Sequence, residues 1–262
     1  MWMILAGAGT CIRLGFSFIS RKHFAPGTVV DNPIEFIVLS IVLIALIPFA
    51  VKDSHQLGLP GGPLITSKLN GKPQPYGWGE VLIAGVLWSV IALVVLMIAL
   101  VVSFSLLAYF SHSLVPHLPY PIQQPHFVKP SEIWLATYVL TSALSAGVQE
   151  EILFRFVLMA LFTRALITIS GNVDQPPGSG QLWLVNIIQA YFFGLAHLIP
   201  DFHRRSGIVG LLKLAIRPLV QPQTLTGVFF GWLYLRHGLE TSMVSHIFFD
   251  LLALIGVSAA IR

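Results

Sequence analysis

Charge is what this chain has least of. Only 10% of its 262 residues are Asp, Glu, Lys or Arg, against about a quarter in an ordinary soluble domain. With 55% hydrophobic residues, too few polar side chains remain to cover a water-facing surface. A soluble globular domain is thereby excluded, and a membrane protein is left. Cysteine is nearly absent: Cys11 stands alone, which excludes an intramolecular disulfide and a cysteine metal cluster. No basic run with interleaved aromatics accompanies the net charge of +4. That surplus therefore reads as cytoplasmic loops and anionic lipid headgroups as partners, with no nucleic acid. A cleavable signal peptide is not expected, because Met1 to Gly9 carries no basic residue and Arg13 interrupts the apolar stretch. The compact chain without an N-x-S/T sequon points to a bacterial cytoplasmic membrane, with the endoplasmic reticulum as the eukaryotic counterpart.

What is there is a series of long apolar runs. Residues 36–51 read FIVLSIVLIALIPFAV, and Val81 to Ser111 is apolar throughout. The first twenty residues form a glycine-rich span or interfacial anchor, closed by Arg21, Lys22 and His23. Lys52 to Glu80 is polar, with loop signals at Pro60-Gly61-Gly62-Pro63, and His112 to Pro130 holds five prolines incompatible with regular helix. Glu132 to Ile169 runs almost without a breaker. As one helix it is about 57 Å long at 1.5 Å per residue, so it must project, tilt or break near Gly147. Further apolar segments are Trp183–Pro200, Ile208–Val220, Leu225–Leu235 and Thr241–Ala260. Since each span with its connection uses roughly 30 residues, the expected fold is an all-α polytopic transmembrane bundle of about 7–8 helices. Residues 1–130 are read as N-terminal membrane helices with loops, and 131–262 as a helical core. The runs are continuously apolar rather than alternating, which excludes a transmembrane barrel, and no internal repeat suggests a transporter of that construction.

Ionisable residues inside such runs cost about 2.5–3.5 kcal/mol each at the bilayer centre. Six occur on three separated segments: Glu150, Glu151 and Arg155; His197, four residues after Phe193; and His246 with Asp250. Glu151 and Arg155 stand at i and i+4 in the favourable order, which leaves Glu150 as the freer carboxylate. His246 and Asp250 share a helical face, so the acid is placed to orient the imidazole. Taken together these groups offer a base, two imidazoles and a cation, parts for activating water and stabilising an oxyanion. A structural ion-pair network accounts for any of them singly, but convergence on one interior site accounts better for all six. The other histidines (His23, His55, His112, His117, His126, His203 and His237) lie in loops or at segment ends. Gly227 and Gly231 form a GxxxG, and Ala143 and Gly147 lie one turn apart just before Glu150. Both pairs are close-packing signals.

The EExxxR of Glu150, Glu151 and Arg155, the FxxxH of Phe193 and His197, and the HxxxD of His246 and Asp250 follow in order within membrane segments. In this the stretch from Glu132 to Ala260 resembles the CPBP family. These are the CAAX proteases and bacteriocin-processing enzymes, also called Abi proteins, among them the Ras-converting CAAX endopeptidase. The resemblance implies a glutamic intramembrane endopeptidase that uses no metal or cofactor and acts on a membrane-associated or prenylated protein. It implies that Glu150 and His197 hold and deprotonate water, that His246 and Asp250 bind the oxyanion, and that Glu151, Arg155 and Phe193 support the site. The prenyl-protein enzyme has Asn where Asp250 stands here. An ionised carboxylate cannot donate a hydrogen bond, so Asp250 acts either as the protonated acid or by orienting His246. Two other readings use the same residues: a zinc peptidase with Glu150, His197 and His246 as ligands, and a non-enzymatic scaffold or proton-coupled transporter.

Overall fold

The computed structural model describes residues 33–114, 132–173, 175–198 and 215–260. The glycine-rich N-terminal segment, the proline-rich stretch after Leu114 and the region around His203 lie outside them. Every element among the described residues is helical. Helix α1 spans Pro33–Gln56, α2 Pro63–Leu69 and α3 Trp78–Leu114. Helix α4, Glu132–Glu150, passes directly into a π-helical segment, Glu151–Leu158, and then into α5, Met159–Ile169. Helix α6 is Ser179–Ala196; a 3₁₀ turn at Arg217–Val220 leads into α7, Pro222–His237, and α8 is Leu239–Ala260.

Two helical stretches are long and apolar enough to cross a membrane, Trp78–Val102 and Val139–Ile169. The first carries an outward face of Leu82, Ile83, Leu87, Val94, Met97 and Val101, all exposed, a composition suited to lipid and not to water. The apolar run at 36–51 lies inside a 24-residue helix that continues past it at both ends. The polar stretch Lys52–Glu80, expected as a loop, in fact holds the end of α1, all of α2 and the start of α3. Pro63 starts α2, where its missing N–H costs nothing.

The long helix from Glu132 is not broken at Gly147. Its irregularity lies just beyond, where the backbone N–H of Met159 bonds the carbonyl of Phe154, five residues back. Such wide turns cluster at functional sites. The reason here is burial on several sides. Glu151, Ile152, Phe154, Arg155, Phe156 and Val157 are all buried, because α1, α6, α7 and α8 each pack against this segment. Gly147 is instead a point of contact: a Cβ there would meet the backbone nitrogen of Ile247 at 2.8 Å. That closeness brings α8 against α4, while α3 covers another side of α8. The GxxxG of α7 faces α6, with Gly227 against Ala190 and Phe193 and Gly231 against Asn186 and Gln189. At the α7–α8 corner Gly238 takes φ +84°, a conformation that glycine adopts without steric cost. The next N–H, of Leu239, bonds Gly61 O at 2.8 Å, tying the α1–α2 connection to the head of α8.

Candidate active site

Near the middle of the Val139–Ile169 stretch, the start of the π segment turns Glu151 inward, where it is fully buried. A buried carboxylate must find donors or a counter-charge, and Glu151 finds three. Its Oε1 lies 2.8 Å from Nδ1 of His246 and 3.3 Å from Nη1 of Arg155. Its Oε2 accepts from the hydroxyl of Ser242. Arg155, also fully buried, spends its other terminal nitrogen on the carbonyl of Gly227, 3.3 Å away. The guanidinium lies 4.4 Å from the centre of the Phe193 ring, a cation–π placement that compensates part of its lost hydration. Gln189 donates to the same Gly227 carbonyl, and Asn186 to that of Val228.

His246 is gripped on two sides. Nδ1 is held by Glu151, and the Phe230 ring stacks on the imidazole at 4.6 Å with 17° between planes. Nδ1–H therefore points at a carboxylate, and Nε2 is the nitrogen left to face the rest of the site. Near Nε2 stand Glu150 Oε2 at 4.0 Å and Asp250 Oδ1 at 3.8 Å. Both gaps are too long for a hydrogen bond and short enough for one water to touch both sides. The Glu150 and Asp250 side chains are 24% and 23% exposed, against 0% for Glu151 and 4% for His246. The cluster thus has a sealed, structural side at Glu151 and an open side at Glu150 and Asp250.

His197 caps the C-terminal end of α6 and is exposed. Its Nδ1 lies 2.8 Å from the carbonyl of Phe193, and Nε2 has no hydrogen-bond partner among the described residues. Phe193 connects the two imidazoles, its ring centre 4.6 Å from that of His197 and 6.1 Å from that of His246. The fold thus gathers Glu150, Glu151, Arg155, Phe193, His246 and Asp250 around one centre and sets His197 at its rim. One expected pairing changes: Asp250 is beyond hydrogen-bond distance of His246, and the carboxylate that orients the ring is Glu151. Ser242, Phe230, Gln189 and Asn186 were not singled out from sequence. Ser242 stands four residues before His246, so the spacing that pairs His246 with Asp250 also pointed to it. Among the described residues, no three His, Cys, Asp or Glu side chains form a metal-ligand set.

Residues 132–252, a little under half of the chain, match the family model described as Type II CAAX prenyl endopeptidase Rce1-like. The resemblance read from the three motifs holds over that stretch, which contains every member of the cluster. No curated protein and no solved structure matches the chain.

Proposed function

We propose that this membrane protein is a multi-pass intramembrane endopeptidase of the glutamic type, which hydrolyses a membrane-associated protein or peptide of the prenylated CAAX class. The observation that carries the reading is that Nε2 of His246 faces two partly exposed carboxylates, Glu150 at 4.0 Å and Asp250 at 3.8 Å, each too far for a direct hydrogen bond and near enough for a water beside the pair to bridge. Water bridging Nε2 and Glu150 stands next to a carboxylate able to take its proton. Attack on a peptide carbonyl then builds negative charge on the carbonyl oxygen. His246, with Nδ1–H held by Glu151, is supported in donating from Nε2–H to that oxygen, because the carboxylate compensates the imidazolium charge. Asp250, as the protonated acid, is the second donor. His197, on the rim with Nδ1 held by the Phe193 carbonyl, joins Glu150 in holding the water through Nε2. The polytopic bundle of seven or eight helices and the bacterial cytoplasmic membrane belong to the same proposal, as does the division at residue 130 into N-terminal helices and a catalytic core.

A prenylated substrate suits a site of this kind, because its lipid tail can remain in the bilayer while the peptide reaches an opening between helices. The test is cleavage of prenylated and unprenylated CAAX peptides by the purified chain and by Glu150→Ala. Wild-type cleavage with preference for the prenylated peptide, falling about 10²–10⁴-fold in the variant, supports the reading. Equal activity in the two proteins overturns it.

A further inference from the structure

Of the groups around Glu151, Ser242 is the one to which neither the motifs nor the proposed chemistry assigns a part. It is fully buried on α8, one turn before His246, so both side chains project from one face. Its hydroxyl donates to Glu151 Oε2 and lies 3.1 Å from the carbonyl of Phe230. Those contacts reach both supports of the imidazole: the carboxylate that holds Nδ1 and the residue whose ring stacks on it. The terminal torsion of a glutamate is broad and roughly two-fold. A carboxylate held at Oε1 alone can therefore swing, carrying Oε1 away from Nδ1. With Oε2 pinned by Ser242, that rotation is stopped.

We propose that Ser242 is a positioning residue of the hydrolytic site: by fixing the Glu151 carboxylate, it keeps the proton on Nδ1 of His246 and Nε2 turned toward Glu150 and Asp250. The assignment rests on the peptidase reading for its kinetic consequence, and on geometry alone for its effect on the imidazole. Arg155 shares Oε1 with His246, so a Glu151 freed from Ser242 can rotate toward the guanidinium. Nδ1 is then left without an acceptor. A ring that has lost the carboxylate at Nδ1 loses the support of its imidazolium charge and is free to turn, so its Nε2–H is a weaker and worse-aimed donor to the oxyanion.

The test compares Ser242→Ala, Ser242→Cys and Ser242→Thr in two readouts. Nitrogen NMR of [¹⁵N]histidine-labelled protein, with the His246 signals identified by their loss in His246→Gln, reports which ring nitrogen carries the proton. Peptide cleavage reports kcat and KM. In Ser242→Ala a population with unprotonated Nδ1 is expected. With it kcat falls about tenfold to a hundredfold, the size of effect that outer hydrogen-bond partners have on metal-bound histidines, while KM is held. Ser242→Cys, a weaker donor, shifts both readouts in the same direction, and Ser242→Thr, which keeps the hydroxyl, restores them. A merely structural serine lowers the folded fraction without moving the tautomer. An unchanged His246 spectrum in both Ser242→Ala and Ser242→Cys therefore overturns the assignment, whatever happens to activity. Absence of cleavage by the wild type overturns the peptidase reading instead, and the spectrum then decides Ser242 by itself.

Discussion

Glu151 and His246, 95 residues apart in the chain, meet at 2.8 Å in a fully buried contact. The contact fixes which imidazole nitrogen looks outward. Besides Ser242, two neighbours bear on its geometry: Arg155, which balances the charge of Glu151, and Gly147, which admits α8 to the surface of α4.

Arg155 and Glu151 are predicted to be strongly coupled. Removing one member of a fully buried pair strands the other charge, at a cost of about 3–5 kcal/mol, whereas removing both is far less harmful. Arg155→Met should lower the unfolding temperature in detergent sharply, and Glu151→Gln added to it should recover part of the loss. Additive effects in the double variant would show that the two charges do not compensate each other.

Asp250 offers a test of the departure from the prenyl-protein enzyme. A carboxyl group donates to an oxyanion only while protonated, whereas an amide donates at any pH. Asp250→Asn is expected to retain cleavage and extend it to higher pH, while Asp250→Leu loses about 10²–10³-fold in kcat, the cost of one oxyanion donor. A pH–rate profile of the three proteins decides. Complete inactivity of folded Asp250→Asn would mean that the carboxylate itself is required.

At Gly147 even one methyl group has no room, since its carbon would fall 2.8 Å from the backbone nitrogen of Ile247. Gly147→Ala must push α8 away, and His246 lies next to the point of contact. Overpacking of this kind costs about 1–3 kcal/mol. The shift should also lower kcat more than a uniform loss of stability would, because His246 is withdrawn from Glu151. Wild-type kcat in a folded Gly147→Ala would place the contact outside the control of the site.

The residues that gather in the candidate site stood out in the sequence because ionisable groups are expensive in apolar helices, and spacing alone paired Glu151 with Arg155. Their partners across helices were not. An α-helical reading places Glu150 and Glu151 on adjacent faces without telling which face meets α8, and the π segment that settles it has no proline or glycine to announce it. Gly147 was legible as a small residue, but a glycine in a long helix is equally a weak point or a contact, and only packing distinguishes them. The polar character of Lys52–Glu80 concealed α2 for a related reason. That seven-residue helix owes its place to a tertiary partner: Glu240 Oε1 accepts from the Ile65 N–H at 3.0 Å.

Glu240 supplies the last prediction. It stands at the head of α8, before the apolar run that begins at Thr241, and is 2% exposed. Burial raises its carboxyl above the ordinary glutamate range, and the hydrogen bonds it accepts from backbone N–H groups, Ile65 among them, offset part of that rise. A folded-state value above the unfolded one means that the folded protein binds the proton more tightly. The resulting stability is fully present below the ordinary glutamate range and is lost as pH rises through the raised folded value. Glu240→Gln keeps an oxygen for Ile65 and has no proton to lose. Unfolding temperatures of the two proteins in detergent, measured from acid to neutral pH, should therefore diverge, with the wild type falling relative to the variant as pH rises. His237 and Tyr76, which stand beside this corner, are common to both proteins and largely cancel in the difference. The same loss should appear as faster proteolysis between Leu57 and Gly77 in the wild type, since Glu240 helps to dock that segment against the α7–α8 corner. Parallel curves would show that Glu240 keeps its charge in the fold, and that a counter-charge supplied from elsewhere holds it there.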